Sequence, residues 1–156
     1  RANHITVRRC RFAENETGIS IGTRDCNNLI QQCSVEGNAG PGILFRETPP
    51  PTEVHSCLVQ DCRIQGNAHA SGKGQVEVLA AAHDLVLERN QIEGGTRPGV
   101  AGLWVAPGTG GLYLEDNRFS GCAPEVNAPP GSLVAQRPQF SCGYGVATER
   151  DFRHLR

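Results

Sequence analysis

The chain has 156 residues, a net charge of -1 and a pI near 6.6, and one domain can account for this length. The charge balance provides no attraction to nucleic acid or to an anionic membrane. No apolar run approaches the roughly 18 residues that span a bilayer. We therefore expect no nucleic acid and no membrane among its partners. The chain begins at Arg1 and contains no methionine, so we expect it to be part of a longer protein with further residues before Arg1.

One short pattern recurs along the chain. It appears first as ITVRRCRFAEN and then as NLIQQCSVEGN, CLVQDCRIQGN, LVLERNQIEGG and LYLEDNRFSGC. One aliphatic anchor per copy gives steps of 23, 29, 28 and 27 residues, between Val7, Ile30, Val59, Leu87 and Leu114. A near-constant period of this length is typical of a solenoid.

Each repeat predicts three short strands. The anchor segment is followed, after a polar pair, by a second apolar segment; a third segment follows a glycine-rich loop. Copies of the third segment are GISIG (18–22), GILFR (42–46), QVEVL (75–79) and GLWVA (102–106). No window shows an apolar stripe at the helical spacing of 3.6 residues. The pattern predicts an all-β parallel β-helix of about five coils over residues 1–122. The Pro- and Gly-rich residues 123–156 are predicted to be a tail or cap that packs on the last coils.

The lines LERNQIEGG and LEDNRFSGC resemble the repeats of the right-handed parallel β-helix superfamily. That superfamily includes pectate lyases, polygalacturonases, alginate epimerases and phage tailspikes. The resemblance covers about positions 3 to 122 and implies that equivalent residues stack about 4.8 Å apart. It also implies a ladder of Asn90 and Asn117 at a tight bend, and a substrate groove along the third strand of each coil. The motifs that mark catalysis in polygalacturonases and pectate lyases are absent from this sequence.

Seven cysteines leave at least one of them unpaired within the chain. Cys10, Cys33 and Cys62 occupy one column of the repeat and are predicted to be a stack of small buried thiols. Cys122 and Cys142 flank the tail and are the best candidates for a disulfide. The cysteine content favours a secreted or extracytoplasmic protein.

Strand parity predicts an outward column on the third strands. It contains Ser20, Leu44, Glu77 and Trp104, and Arg46 lies outward one step further along its strand. An aromatic plate can stack on a sugar ring, while a carboxylate and a guanidinium can bind its hydroxyls or a uronate. We therefore predict substrate binding by Trp104, Glu77, Arg46 and Ser20. In the alternative interpretation, Trp104 packs beneath a loop or the tail and Glu77 is merely solvated.

A second column contains Cys26, His55 and His83 on consecutive coils. These side chains could converge on one zinc ion, with Asp84 supporting them, or could supply a general base. In the alternative interpretation they only bond the backbone of a turn. The candidate catalytic set is Glu77, Arg46 and His83, and no cofactor is predicted.

A third column of residues is apolar, although the alternation of side chains along each strand predicts that it faces outward. A stripe formed by Leu29, Leu58, Val86 and Tyr113 should be covered by the tail or by another subunit. Coil 1 is as regular as the others and leaves an open strand edge. The sequence thus predicts a homo-oligomer through coil 1 or through this stripe.

Two classes of function fit these features. The first is a secreted carbohydrate-active or carbohydrate-binding β-helix that binds a polysaccharide or oligosaccharide, with lyase-type or hydrolase-type chemistry on an acidic polysaccharide. The second is a non-catalytic binding or assembly module, similar to an adhesin or a spike. Lyase chemistry must neutralise a uronate, abstract a proton and protonate a leaving oxygen. Only the first of these tasks has a firm candidate, Arg46.

Overall fold

A computed structural model describes residues 2–141 and 146–147. Its regular elements are all strands, and none of its described segments forms an apolar helix long enough to cross a membrane. Each of five coils contributes one strand to each of three parallel sheets. Sheet A comprises β1 (Thr6–Arg8), β4 (Leu29–Gln31), β7 (His55–Gln60), β10 (His83–Glu88) and β13 (Gly110–Glu115).

Sheets B and C complete the three sides of the coil. Sheet B comprises β2 (Arg11–Ala13), β5 (Ser34–Glu36), β8 (Arg63–Gln65), β11 (Gln91–Glu93) and β14 (Arg118–Ser120). Sheet C comprises β3 (Ile19–Ile21), β6 (Ile43–Phe45), β9 (Gly74–Val78), β12 (Ala101–Val105) and β15 (Val126–Asn127). Two short antiparallel strands follow, β16 (Phe140–Ser141) and β17 (Val146–Ala147).

The predicted anchors form one continuous ladder in sheet A. Val7 pairs with Ile30, Ile30 with Val59, Val59 with Leu87, and Leu87 with Leu114. The three central anchors are at most 2 % exposed and lie in the core between the sheets. The predicted parallel β-helix of five coils is confirmed.

A left-handed residue turns each coil from sheet A into sheet B. Five equivalent residues have φ between +52° and +55°: Arg9, Gln32, Asp61, Arg89 and Asp116. This conformation costs free energy for any residue other than glycine. It must therefore be stabilised by the side chains that follow it in the chain.

The asparagine ladder implied by the resemblance is present at this first bend. Asn117 Oδ1 accepts hydrogen bonds from the backbone N–H and the side-chain amide of Asn90, at 3.1 and 2.9 Å. Asn90 in turn accepts the N–H of Cys62 and donates to the carbonyl of Val59. Because Asn90 is fully buried, these bonds satisfy backbone groups that water cannot reach.

In the first three coils, thiols replace the asparagines of this bend. The Cys33 and Cys62 thiols are buried and each donates to two backbone carbonyls. A hydrogen bond with Cys33, together with burial, raises the pKa of Cys62. The prediction of a buried stack is correct for these two residues. It is wrong for Cys10, which is exposed in this structure.

A second asparagine ladder occupies the bend from sheet B to sheet C in those same three coils. Asn38 Oδ1 accepts the N–H of Asn15, and Asn67 Oδ1 accepts the N–H and the side-chain amide of Asn38. The Asn38 amide also donates to the carbonyl of Phe12. Gln75 continues the row by accepting the N–H of Asn67 at 2.8 Å.

The apolar stripe on the outside of sheet A is covered within the chain. Phe140 packs on Leu29, Leu58 and Val86, and all four are at most 4 % exposed. Tyr113 packs partly buried against the same cluster. The sequence predicts that the stripe is covered by the tail or by another subunit, and in the structure the tail covers it. An oligomer contact through this stripe is excluded by its burial, whereas the contact through coil 1 remains a prediction.

A buried polar row runs beside the stripe. Gln31 donates to Gln60 at 2.9 Å, Gln60 donates to Glu88, and Arg137 of the tail donates to the other oxygen of Glu88. Glu88 is 2 % exposed, so the guanidinium of Arg137 compensates a buried charge. This ion pair fastens the tail to coil 4.

Two predictions about the C-terminal part remain open. Cys122 is a half-buried free thiol, and Cys142 lies outside the described residues, so no pairing of the two is described. Strand β15 (Val126–Asn127) extends sheet C past the proposed boundary at residue 122. The division into 1–122 and 123–156 stays a proposal.

Replacing Asn38 with alanine tests the second ladder. Asn38→Ala removes the donor to the carbonyl of Phe12 and the acceptor for the backbone N–H of Asn15, which should cost about 1–3 kcal/mol per unsatisfied group. The midpoint of urea unfolding measures the loss. Asn15→Ala is the matched control, because Asn15 is exposed at the end of the ladder. Equal losses in the two variants would contradict a stabilising role for the ladder.

Candidate functional site

The outward column predicted on sheet C exists in the expected register. Ser20 pairs with Leu44, Leu44 with Glu77, and Glu77 with Trp104; the row ends on Asn127. Adjacent strands lie about 4.8 Å apart, so Ser20 and Trp104 are separated by about 14 Å along the face. Sheet C thus presents one row of side chains across five coils.

Glu77 stands in this row but is not exposed to a ligand. Its side chain is 6 % exposed, and Oε1 accepts the backbone N–H groups of Lys73 and Gly74. Gly72, at φ +87°, lets the preceding loop fold back over the carboxylate, since a Cβ there would lie 2.7 Å from Oε1. The expectation of a solvent-facing Glu77 is therefore wrong, because the loop that ends at Lys73 uses this carboxylate as its anchor.

The anchored loop brings Lys73 to Trp104. The Lys73 ammonium lies 4.1 Å from the centroid of the indole ring, a cation–π contact. Trp104 is partly exposed on the outer face of coil 4. A site that combines an aromatic plate with a cation can stack on a sugar and bind its acidic group. Sequence reasoning missed Lys73, although it is the only lysine in the chain and precedes strand β9 directly.

Arg46 directly follows strand β6, at the corner where coil 2 leaves sheet C, and it is exposed. Its guanidinium lies directly over Gly22 of coil 1. Ser20 is exposed on the same coil as Gly22. Arg46 and Trp104 are two coils apart, about 10 Å along the sheet, so one extended ligand could contact both.

The histidine column is also in register. Cys26 bridges to His55, and His55 pairs with His83. The two imidazoles stack with centroids 5.0 Å apart and planes 5° from parallel. Stacked, nearly parallel rings do not point their nitrogens towards one common point between them, as tetrahedral zinc ligands do.

Cys26 does not join these rings at a common point. It is 2 % exposed, and its Sγ donates to Asn3 Oδ1 at 3.3 Å. Within residues 2–141 and 146–147, no group of three or more His, Cys, Asp or Glu side chains is arranged to hold a metal ion. Nor is Cys57 suited to act as a nucleophile, because burial raises its pKa to about 12.

His83 has the geometry of an oriented imidazole. Its Nδ1 lies 2.8 Å from Asp84 Oδ2, and about two-fifths of its side chain is exposed. The carboxylate favours a proton on Nδ1 and leaves the Nε2 lone pair as the basic site. His83 begins a strand of sheet A, whereas Glu77 and Arg46 belong to sheet C and its edge. The three candidate catalytic residues therefore do not form one cluster on one sheet.

The sequence matches the family described as "Right handed beta helix region" over residues 1–150. The chain belongs to this family. Its right-handed fold, predicted from the sequence, is thereby confirmed. No curated protein matches this β-helix significantly.

Two solved structures share this fold. The A-module of mannuronan C-5 epimerase AlgE4 from Azotobacter vinelandii has a TM-score of 0.72 and 15% identity, over 86% of this β-helix and 37% of that chain. The A-module of AlgE6 from the same organism has a TM-score of 0.65 and 17% identity, over 88% and 43%. The chain thus spans less than half the length of either structure. At these identities the likeness shows the fold alone.

Removing the Glu77 carboxylate should release the loop that carries Lys73. Lys73 is the only lysine, so a lysine-specific endoproteinase can cut the native chain only after this residue. Glu77→Ala should accelerate that cleavage, because two backbone N–H groups lose their acceptor. The cleavage rate under native conditions measures this. Glu47→Ala, at an exposed site, serves as the control, and equal rates in both variants would refute the anchoring role of Glu77.

Proposed function

We propose that this β-helix binds an acidic polysaccharide across the outer face of sheet C, as part of a carbohydrate-active protein outside the cytoplasm. The observation that carries the proposal is the pairing of Trp104 with Lys73 on coil 4. A partly exposed indole next to an ammonium group suits a ligand that is both apolar on its ring face and anionic at its edge.

The form of the face supports a polymeric ligand. Sheet C is a row of parallel strands of equal spacing, so each coil offers one further contact of the same kind. Trp104 on coil 4 and Arg46 beyond the strand of coil 2 are about 10 Å apart along the solenoid axis, and Arg46 lies two residues further along the strand direction. A ligand that contacts both must therefore be longer than one sugar ring.

Solved structures of the same fold give independent support. Both similar structures are named as modules of a mannuronan C-5 epimerase, and mannuronan is an acidic polysaccharide. Fold likeness by itself is a weak basis for function. The argument therefore depends on the Trp104 and Lys73 pair, which belongs to this chain.

Truncation of Trp104 tests the binding face. Trp104→Ala should weaken binding of a uronate oligosaccharide by about 0.5–1.5 kcal/mol, about 2- to 12-fold in Kd, through loss of the stacking surface. Trp104→Phe should restore part of the affinity, and Leu133→Ala, at an exposed apolar residue that bridges to Leu112 of sheet A, should leave it unchanged. Isothermal titration calorimetry measures each Kd. An unchanged Kd for Trp104→Ala would remove the main support for this face.

Turnover is a second candidate function, favoured by the contact between His83 and Asp84. An imidazole that is partly exposed and held at Nδ1 by a carboxylate could abstract a proton from a sugar carbon. Since Glu77 is engaged in its loop, His83 is the strongest remaining candidate for this role. Binding without turnover would instead fit a non-catalytic module of the adhesin or spike kind.

Replacing His83 decides between turnover and binding alone. The wild-type chain is incubated with a panel of uronate polymers, followed by absorbance of unsaturated products and by new reducing ends. If His83 is the base, His83→Gln should lower kcat by about 10²- to 10⁴-fold. His69→Gln, at an exposed loop position, should have no effect. Wild-type chain that turns over none of the polymers, or a His83→Gln variant with full activity, would reject the catalytic role.

A further inference from the structure

A pocket of about 490 Å³ lies where coils 1 and 2 leave sheet C and turn towards sheet A. Gly22, Thr23 and Arg24 of coil 1 line it, together with Arg46 and Thr52 of coil 2. Most of these residues follow directly on strands β3 and β6, so the sheet fixes where they stand.

The pocket has an excess of positive charge. Within the described part of the chain, neither Arg24 nor Arg46 makes an ion pair or a side-chain hydrogen bond. The acidic residue of the lining is Asp25, and its two oxygens already accept the backbone N–H groups of Ala2 and Gly22, at 2.6 and 2.9 Å. Two guanidinium groups are thus available to an anion from outside the chain.

Gly22 provides the space in which the Arg46 guanidinium lies. A Cβ at this position would be 2.4 Å from Nε and 2.9 Å from Cζ of Arg46. The equivalent positions of coils 3 and 4 are Leu79 and Ala106, which continue the same backbone ladder. The opening over Gly22 is therefore specific to the corner of coils 1 and 2.

The backbone of this corner is strained. Thr23 and Arg24 have φ of +46° and +65°, the one pair of consecutive left-handed residues without glycine in the part of the chain that the structure describes. The N–H of Arg24 donates to the carbonyl of Thr52 at 2.9 Å, which holds the corner in place. Strain of this kind costs on the order of 1–3 kcal/mol per residue and is concentrated at ligand sites.

We propose that this pocket binds the carboxylate of a uronic acid residue, two coils away from the sugar that stacks on Trp104. The planar fork of Arg46 matches a carboxylate in bidentate fashion, and Arg24 supplies the second cation. The subsite rests on the proposed function, since it would make the same binding face selective for acidic sugars. Binding of a carboxylate would account for the absence of a side chain at Gly22 and for the strained backbone of Thr23 and Arg24.

Calorimetric titrations of a uronate trisaccharide and of its carboxyl-reduced counterpart test the subsite. Arg46→Gln and Arg24→Gln should each weaken binding of the acidic trisaccharide by tenfold or more, and leave the reduced one unchanged. Gly22→Ala retains both charges but displaces the Arg46 guanidinium, so it should cause the same selective loss. Matched controls are Gly110→Ala, where nothing lies within 4 Å of a new Cβ, and Arg118→Gln, exposed on sheet B.

The outcomes separate the subsite from the proposed function. If Trp104→Ala weakens binding and the three pocket variants do not, the subsite is wrong and the function stands. If neither trisaccharide binds to the wild-type chain, both are overturned. Competition by inorganic sulfate at equal strength would show that the pocket takes tetrahedral anions, and would overturn the assignment to a carboxylate.

Discussion

Stacking of the coils in register depends on how each bend satisfies its backbone. A left-handed residue at the same place in every coil leaves N–H and C=O groups pointing along the solenoid axis, where water is absent. The amide side chain of an asparagine such as Asn90 serves two neighbouring coils at once, because it carries both a donor and an acceptor. The asparagine ladder does not lie at the same bend in every coil. Thiols occupy the first bend in coils 1 to 3, where the second bend carries Asn38 and Asn67, and asparagines return to the first bend in coils 4 and 5.

The same regularity gives the three outer faces different roles. Sheet A is covered by the tail, whose Phe140 lies on the apolar stripe and whose Arg137 compensates the buried Glu88. Sheet B carries matched charges: hydrogen bonds from Arg11 and Gln65 lower the pKa of Glu36, which is partly exposed. Sheet C keeps an aromatic residue at its surface, and within the described residues Arg24 and Arg46 at its edge make no ion pair. A face that is neither covered nor neutralised is the one that can bind a charged ligand.

Individual residues, rather than the repeat, distinguish this β-helix. Gly72 allows the loop above β9 to fold back on Glu77, and the loop then sets the position of Lys73 over Trp104. Gly22 has a comparable role at the opposite end of sheet C, where its missing side chain makes room for Arg46. Both features lie in segments that vary in length between coils. Variation of loops on a constant core is the usual way in which a solenoid acquires a specific ligand.

The sequence by itself determined the strands, their register and the identity of the inward ladder. A period of 23 to 29 residues with an aliphatic anchor allows only one stacking of coils, since a shift by one residue would turn the buried side chains outward. It also placed Glu77 beside Trp104 and His55 beside His83, because pairing follows from register alone. Tertiary structure decided what each outward side chain meets. Whether Glu77 faces solvent or its own loop, and whether the apolar stripe meets the tail or another subunit, depends on how segments outside the repeat fold back, and no periodic signal encodes that path.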